Sequence, residues 1–212
     1  MAVSRIATYT NTGSSSTLTV TIGAAPAAGD ILIAAFEFAN SVSVSSGPSG
    51  WAALTANGTG GQMWIYWKVA DGSETAASIV LSGVSASAGF VAVYRGADPP
   101  TGAQIIGANT SGSSIVAPTI ATVPAGAFSI SIGGSRAGGA HSSTTSGSNW
   151  TERVDTASQS LITMADNSVN TGSVTGATFS FTSTTTARNA ASFYLPLAVV
   201  ATAPRSSLLM AM

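Results

Sequence analysis

The sequence predicts an all-β protein, and within that class an antiparallel β-sandwich of the jelly-roll type. Apolar side chains recur at every second position in many short segments, which is typical of strands with one buried face. Turn-forming residues separate these segments at intervals of roughly ten residues, as they do in sandwiches and jelly rolls. Small residues fill more than half of the 212 positions (37 Ala, 33 Ser, 26 Thr and 23 Gly), so hydroxyl groups rather than charges supply the polar strand faces.

The alternation predicts ten strand segments in chain order. They cover residues 18–22, 31–38, 42–44, 63–69, 79–81, 90–94, 128–132, 161–164, 179–181 and 193–195. The segments are separated by sequences that supply a positive or a fixed φ for a chain reversal. These are Gly-Pro-Ser-Gly at 47–50, Asn-Gly at 57–58, Asp-Gly at 71–72 and Asp-Pro-Pro at 98–100.

The charge balance excludes several classes of partner. The chain has 7 basic and 8 acidic side chains and a formal net charge of −1. Nucleic-acid binding needs a clustered Lys/Arg face, and Lys68 is the single lysine.

The absence of cysteine excludes disulfides and thiolate metal sites. The apolar runs are far shorter than the roughly 20 residues that span a bilayer, so we expect no membrane insertion, and we expect no signal peptide.

The two halves of the chain repeat each other weakly. Pro-Ala-Ala-Gly-Asp-Ile at 26–31 matches Val-Pro-Ala-Gly-Ala-Phe at 123–128, Ser-Gly-Trp at 49–51 matches Ser-Asn-Trp at 148–150, and Val-Tyr at 93–94 matches Phe-Tyr at 193–194. A near-constant offset of about 100 residues indicates an internal duplication, with pseudo-repeats at about 17–100 and 115–200. Two separate domains would fit it too. Since no linker divides the halves, we expect one sandwich domain over residues 1–200.

Residues 201–212 form a C-terminal tail that follows the last predicted strand. The tail ends in apolar side chains that include Leu208, Leu209 and Met210. Terminal segments commonly fray, whereas an exposed apolar segment can dock onto a neighbouring subunit. The sequence leaves both interpretations open for these three residues.

Catalytic and cofactor chemistry is not indicated. The single histidine, His141, lies in a Gly/Ser-rich stretch that predicts a loop, and one histidine makes no ordinary metal site. Most carboxylates lie at turns, where they cap the local backbone. Glu37, between Phe36 and Phe38, is the exception, and we expect it on a solvent face or between subunits. The sequence therefore predicts no enzyme, no metal and no cofactor.

Aromatic residues crowd into one predicted strand at 63–69. Alternation places Trp64, Tyr66 and Lys68 on one face and Met63, Ile65 and Trp67 on the other. If the second set is core, Trp64 and Tyr66 form an outer ladder that could contact a glycan or a protein interface. The alternative is that both faces of this strand are covered within the sandwich.

Four motifs resemble β-sandwich structural proteins of tailed bacteriophages. They are Gly-Asp-Ile-Leu-Ile at 29–33, Pro-Ser-Gly-Trp at 48–51, Tyr-Trp-Lys-Val-Ala at 66–70 and Tyr-Arg-Gly at 94–96. The resemblance covers residues 29–97 well and is only suggestive beyond them. It implies a virion protein, of the capsid-decoration, fibre or minor-tail type, made in the host cytoplasm.

The leading hypothesis is therefore a structural component of a phage virion. It would act by assembly with other virion proteins and with itself, as a homo-oligomer such as a trimer. A carbohydrate-binding module that attaches to a cell-surface glycan through Trp64 and Tyr66 is the alternative. A glycan-processing enzyme is a third and poorer hypothesis.

Overall fold

The computed structural model describes residues 2–38, 42–57, 62–108, 112–168, 171–185 and 187–198. In this part of the chain all regular structure is β-strand and every strand pairing is antiparallel. The first half contains β1 (Ser4–Thr21), β2 (Ile31–Phe38), β3 (Val44–Ser46), β4 (Ala52–Asn57), β5 (Gln62–Val69) and β6 (Ala76–Arg95).

The second half contains ten strands of 3 to 14 residues. They are β7 (Thr101–Ala108), β8 (Gly112–Val116), β9 (Ile120–Val123), β10 (Phe128–His141), β11 (Ser143–Ser146), β12 (Thr151–Asp155), β13 (Ser158–Asn167), β14 (Gly172–Val174), β15 (Thr178–Thr185) and β16 (Ala187–Leu195). The all-β class and the antiparallel sandwich architecture predicted from the alternation are confirmed.

The strand order of the two halves confirms the internal repeat. The large sheet of the first half has the order β1-β6-β2-β5-β4, and that of the second half has the order β7-β16-β10-β13-β12. Reading the two orders side by side makes β2 the counterpart of β10 and β5 the counterpart of β13. We call these two sheets the central sheets.

Two turns repeat along with the strands. Gly29 and Gly126 both have a positive φ, of 89° and 80°, and each lies third in a turn that leads into the middle strand of its central sheet. The turn before β4 has Gly50 at φ 77°, and the turn before β12 has Asn149 at φ 66°. Glycine and asparagine are the residues that tolerate this left-handed conformation best, which is why the matched positions hold no other type.

A smaller outer layer covers one face of each central sheet. In the first half, the end of β1 pairs with the start of β6, and β3 adds to β6 at Val80 and Leu81. In the second half, β11, β15 and β8 form a separate three-stranded sheet. Side chains such as Phe36 and Ile79 fill the space in the first half, and Phe179 with Leu161 fills it in the second.

The remaining faces of the two central sheets pack against each other. A shared core joins Ile33, Phe90 and Tyr94 of the first half to Ile130 and Phe193 of the second. Both central sheets are therefore covered on both faces, and all eight residues of β2 are buried. This explains the nearly continuous apolar sequence of β2, since strands buried on both faces read as apolar runs.

The edge strands of the two central sheets make reciprocal contacts between the halves. β4 contacts β7, and their counterparts β12 and β1 also contact each other. A two-fold interface would show such reciprocity at every strand, but β13 packs against β2 and β6 more closely than its counterpart β5 packs against β10 and β16, so the reciprocity is confined to the edges. The single-domain prediction over residues 1–200 stays a prediction, and residues 201–212 lie outside the described part.

Some sequence expectations differ from the structure in detail. The segments at 79–81 and 90–94 belong to one 20-residue strand, β6. His141, expected in a loop, ends β10 and pairs with Ser158 beyond an irregularity in the β10–β13 pairing. β4 and β12 lack a clear apolar alternation, because each is an edge strand with mostly exposed side chains.

Candidate functional site

The predicted aromatic ladder is folded into the first half. The rings of Trp64 and Tyr66 stack with centroids 6.2 Å apart and an interplanar angle of 17°. Tyr66 is only 5% exposed, because its ring also meets the edge of Phe36 and lies under Gly47, where an added Cβ would come within 2.6 Å of the ring. Trp64 is half-buried against the same core.

Both faces of β5 are therefore covered, as in the alternative interpretation of this strand. Met63 and Ile65 lie in the core shared by the two halves. Lys68 is held at the end of the strand, with its Nζ 2.7 Å from Glu74 and 3.1 Å from Asp71. The hydrogen bond to Glu74 raises the pKa of Lys68. The three predicted residues thus share one face, but they form no open aromatic platform.

The expectation that Glu37 faces solvent or another subunit is wrong. Its side chain is fully buried between the central sheets, because the second half covers the face of β2 that the alternation left open. Both carboxylate oxygens lie 3.1 Å from Nδ2 of Asn189. Burial raises the pKa of Glu37 to about 8, and the Asn189 hydrogen bond and the charge of Arg136 oppose that shift only in part.

A glycine makes room for Glu37. Gly134 holds the position on β10 that Glu37 holds on β2, and a Cβ on Gly134 would lie 2.6 Å from Oε2 of Glu37. In the strand pairing, Gly134 is matched with Asn189, whereas Glu37 is matched with Ala88. The second half thus has a glycine where the first half carries the acid, and it has the amide of Asn189 where the first half has Ala88.

A buried carboxylate also ties the two halves together. Asp166 on β13 is bound by Arg153 at 2.7 Å and by Arg5 of the first half at 3.1 Å. Burial raises the pKa of Asp166, although both guanidinium groups oppose the shift. Since a buried charge is tolerated when it is paired, this network is structural.

An open pocket of about 470 Å³ lies beside Trp150 in the second half. The turn before β12 forms one side, with Ser148 and Asn149, and the end of β13 adds Asn167. The opposite side is formed by β14 and the residues around it, which include Thr171 and Ser173. None of the eleven described residues that line the pocket is charged.

Trp150 is fixed in place by its surroundings. Its Nε1 donates a hydrogen bond of 3.1 Å to the carbonyl oxygen of Thr175. The ring also packs against two apolar clusters of the second half, which contain Phe179 and Val174 respectively. This pocket was not predicted from the sequence, although one signal was present: the repeated Ser-x-Trp turn has Asn149 where the first half has Gly50.

A third feature is the free edge of β1. This strand pairs only with β6 and forms one border of its central sheet. Its pairing runs without a register shift from Ala7 to Ser15, and that stretch contains no proline and no charged residue. Thr10 and Thr12 in it are exposed, and the Thr12 amide is occupied by the side chain of Asn11.

Three further predictions concern the C-terminal tail, metal binding and membrane insertion. Leu208, Leu209 and Met210 lie outside the described residues. Among the residues that the structure describes, no group of three or more His, Asp or Glu side chains is placed to hold a metal ion. No helix in that part of the chain is both long and apolar enough to cross a bilayer.

The chain matches no protein-family model, no curated protein and no solved structure.

Proposed function

We propose that this chain is a structural component of a tailed-bacteriophage virion, of the capsid-decoration or minor-tail type, that acts by protein–protein assembly. The observation that carries the assembly part is the free edge of β1. Natural edge strands are commonly short or protected by charges, prolines or bulges. The stretch from Ala7 to Ser15 has none of these protections, so, apart from the Thr12 amide that the Asn11 side chain occupies, it offers backbone groups to a strand of another subunit.

The surface chemistry supports the same proposal. The exposed side chains of β1 are mainly Ser and Thr, and only 7% of the chain is charged. Such a surface provides little electrostatic repulsion between copies. The virion part of the proposal rests on the motifs at residues 29–97. A strand edge that pairs with its own copy gives a two-fold dimer, whereas a trimer requires the edge to meet a different surface of the next copy; both are homo-oligomers that the β1 edge could form.

A charge on the edge of β1 tests the assembly proposal. The variant Thr10→Lys places an ammonium group on the free edge, and edge lysines hinder strand addition. In analytical ultracentrifugation we expect the unaltered protein to form oligomers and Thr10→Lys to sediment mainly as monomer. Ser49→Lys, which adds the same charge in an exposed turn, should assemble normally. A purely monomeric unaltered protein at high concentration would refute the assembly proposal.

The virion part has its own test. Mass spectrometry of purified phage particles produced from the genome that encodes this chain should detect it as a stoichiometric component. Immunogold labelling would then locate it on the head or the tail. If the particles lack the chain while the infected cells contain it, the virion assignment is wrong, whatever the oligomeric state.

A further inference from the structure

The pocket beside Trp150 has the chemistry of a site for an uncharged, hydroxyl-rich ligand. Asn149 carries an amide and Ser148, Ser173 and Thr178 carry hydroxyls, groups that can donate and accept hydrogen bonds, and these four residues line the pocket. Asn167 also lines it, but its amide already donates to the carbonyl oxygen of Ser148. An anionic ligand would find no basic side chain among the described lining residues. An apolar ligand would offer Asn149 and the hydroxyls no hydrogen-bond partner, which is costly for polar groups that it covers.

Trp150 supplies the apolar surface that a sugar-binding site needs besides its hydrogen-bonding groups. Trp150 is anchored at its nitrogen by Thr175 and packs against two apolar clusters, and it is the one aromatic residue among those that line the pocket. A flat apolar ring beside hydrogen-bonding groups suits a ligand with one apolar face and a polar rim. Because the ring is already fixed, binding costs little side-chain entropy.

The backbone at Asn149 provides an independent observation. Asn149 is the single described residue other than glycine with a positive φ, and it lines the pocket. The matched turn of the first half uses Gly50, which adopts this conformation without strain. Gly and Asn both suit the left-handed turn, and of the two only asparagine adds a hydrogen-bonding amide at this place.

We propose that this pocket binds a single neutral pyranose unit, a hexose or an N-acetylhexosamine, of a glycan. Trp150 stacks against the ring, and the amide of Asn149 with the neighbouring hydroxyls binds the sugar hydroxyl groups. The volume of about 470 Å³ falls in the range of roughly 300–1,000 Å³ found for small-molecule sites. The site does not depend on the assembly proposal, because it lies in the second half and β1 in the first.

Ligand titration followed by NMR tests this site directly. The probes are the methyl glycosides of glucose, galactose and mannose, together with N-acetylglucosamine and N-acetylgalactosamine, titrated into the full ¹⁵N-labelled chain. We expect at least one to bind with a Kd of about 1 mM and to shift the indole N–H signal of Trp150. If none binds below about 20 mM, or if the shifts centre on Trp64 instead, the proposal is wrong.

Two variants separate binding from folding. Asn149→Gly copies the first half, so it should fold normally and weaken the bound sugar at least about fivefold, as expected for the loss of one hydrogen bond. Gly50→Asn adds an amide to the matched turn, and a Cβ there meets no atom within 4 Å, so it should leave the affinity unchanged. Equal affinities for Asn149→Gly and the unaltered chain would exclude Asn149 from the site and overturn the proposal.

Discussion

The two halves of the chain share a strand order but differ in the side chains that meet between them. Glu37 of the first half faces Gly134 of the second, although both occupy the same place in their sheets. Trp67 packs against the shared core, while the matched position on β13 holds the buried acid Asp166. The two repeats therefore share their alternation and their turns, whereas the side chains on the surface between them differ.

The largest expected effect is a pH dependence of stability that comes from Glu37 in the first half. Folding raises the pKa of Glu37 to about 8, so the folded chain retains a proton that the unfolded chain releases near pH 4.5. The contribution of Glu37 to stability is therefore complete below about pH 4.5 and is lost as the pH rises toward 8. The free energy of unfolding should fall by about 1.4 kcal/mol per pH unit at most within this window.

Urea denaturation at several pH values measures this effect. Glu37→Gln removes the titrating group and keeps the shape of the side chain, so its stability should vary much less between pH 5 and 8. Parallel pH profiles for the variant and the unaltered chain would show that Glu37 does not carry the dependence.

A smaller effect on the free energy of unfolding is expected when a side chain is added at Gly134. Gly134→Ala places a methyl group 2.6 Å from a carboxylate oxygen of Glu37, and overpacking of this kind typically costs about 1–3 kcal/mol. Chemical denaturation should show this loss. In the double variant Glu37→Ala/Gly134→Ala the methyl group no longer meets the acid, so the cost of Gly134→Ala should shrink. Simple additivity of the two changes would contradict the proposed contact.

The smallest effect concerns the matched turns. Asn149→Gly relieves a left-handed asparagine, and Gly50→Asn introduces one, so their effects on stability should be opposite in sign and below about 1 kcal/mol each. Thermal unfolding of the two variants measures the difference. A large loss in Asn149→Gly would mean that the Asn149 side chain supports the fold itself.

The sequence predicted the fold better than the functional surfaces. The alternation located β2 at its observed bounds, and the offset of the repeated motifs predicted the internal repeat, which the matched strand orders of the two halves now show. The burial of Glu37 could not be read from β2 alone, because the residues that cover it, Gly134 and Asn189, are far away in the chain. The covering of Tyr66 by Gly47 likewise depends on tertiary packing.

The pocket beside Trp150 could not be predicted from the sequence either. Its lining comes from a turn, a strand end and a short strand that contact one another only in the folded chain. Each piece consists of Ser, Thr, Asn and Gly, which are common throughout this sequence. The one sequence feature that marks this turn is Asn149, which stands where the first repeat has Gly50.

The reciprocal contacts of β4 with β7 and of β12 with β1 have a consequence for behaviour on dilution. Two separate polypeptides joined by such a surface would dissociate at low concentration, and the same residue would have to suit both sides of the symmetry axis. Covalent fusion makes the association unimolecular, so its effective concentration stays fixed however dilute the protein becomes. It also allows each copy to mutate independently, and a lone acid opposite a glycine is an arrangement that identical partners could not adopt.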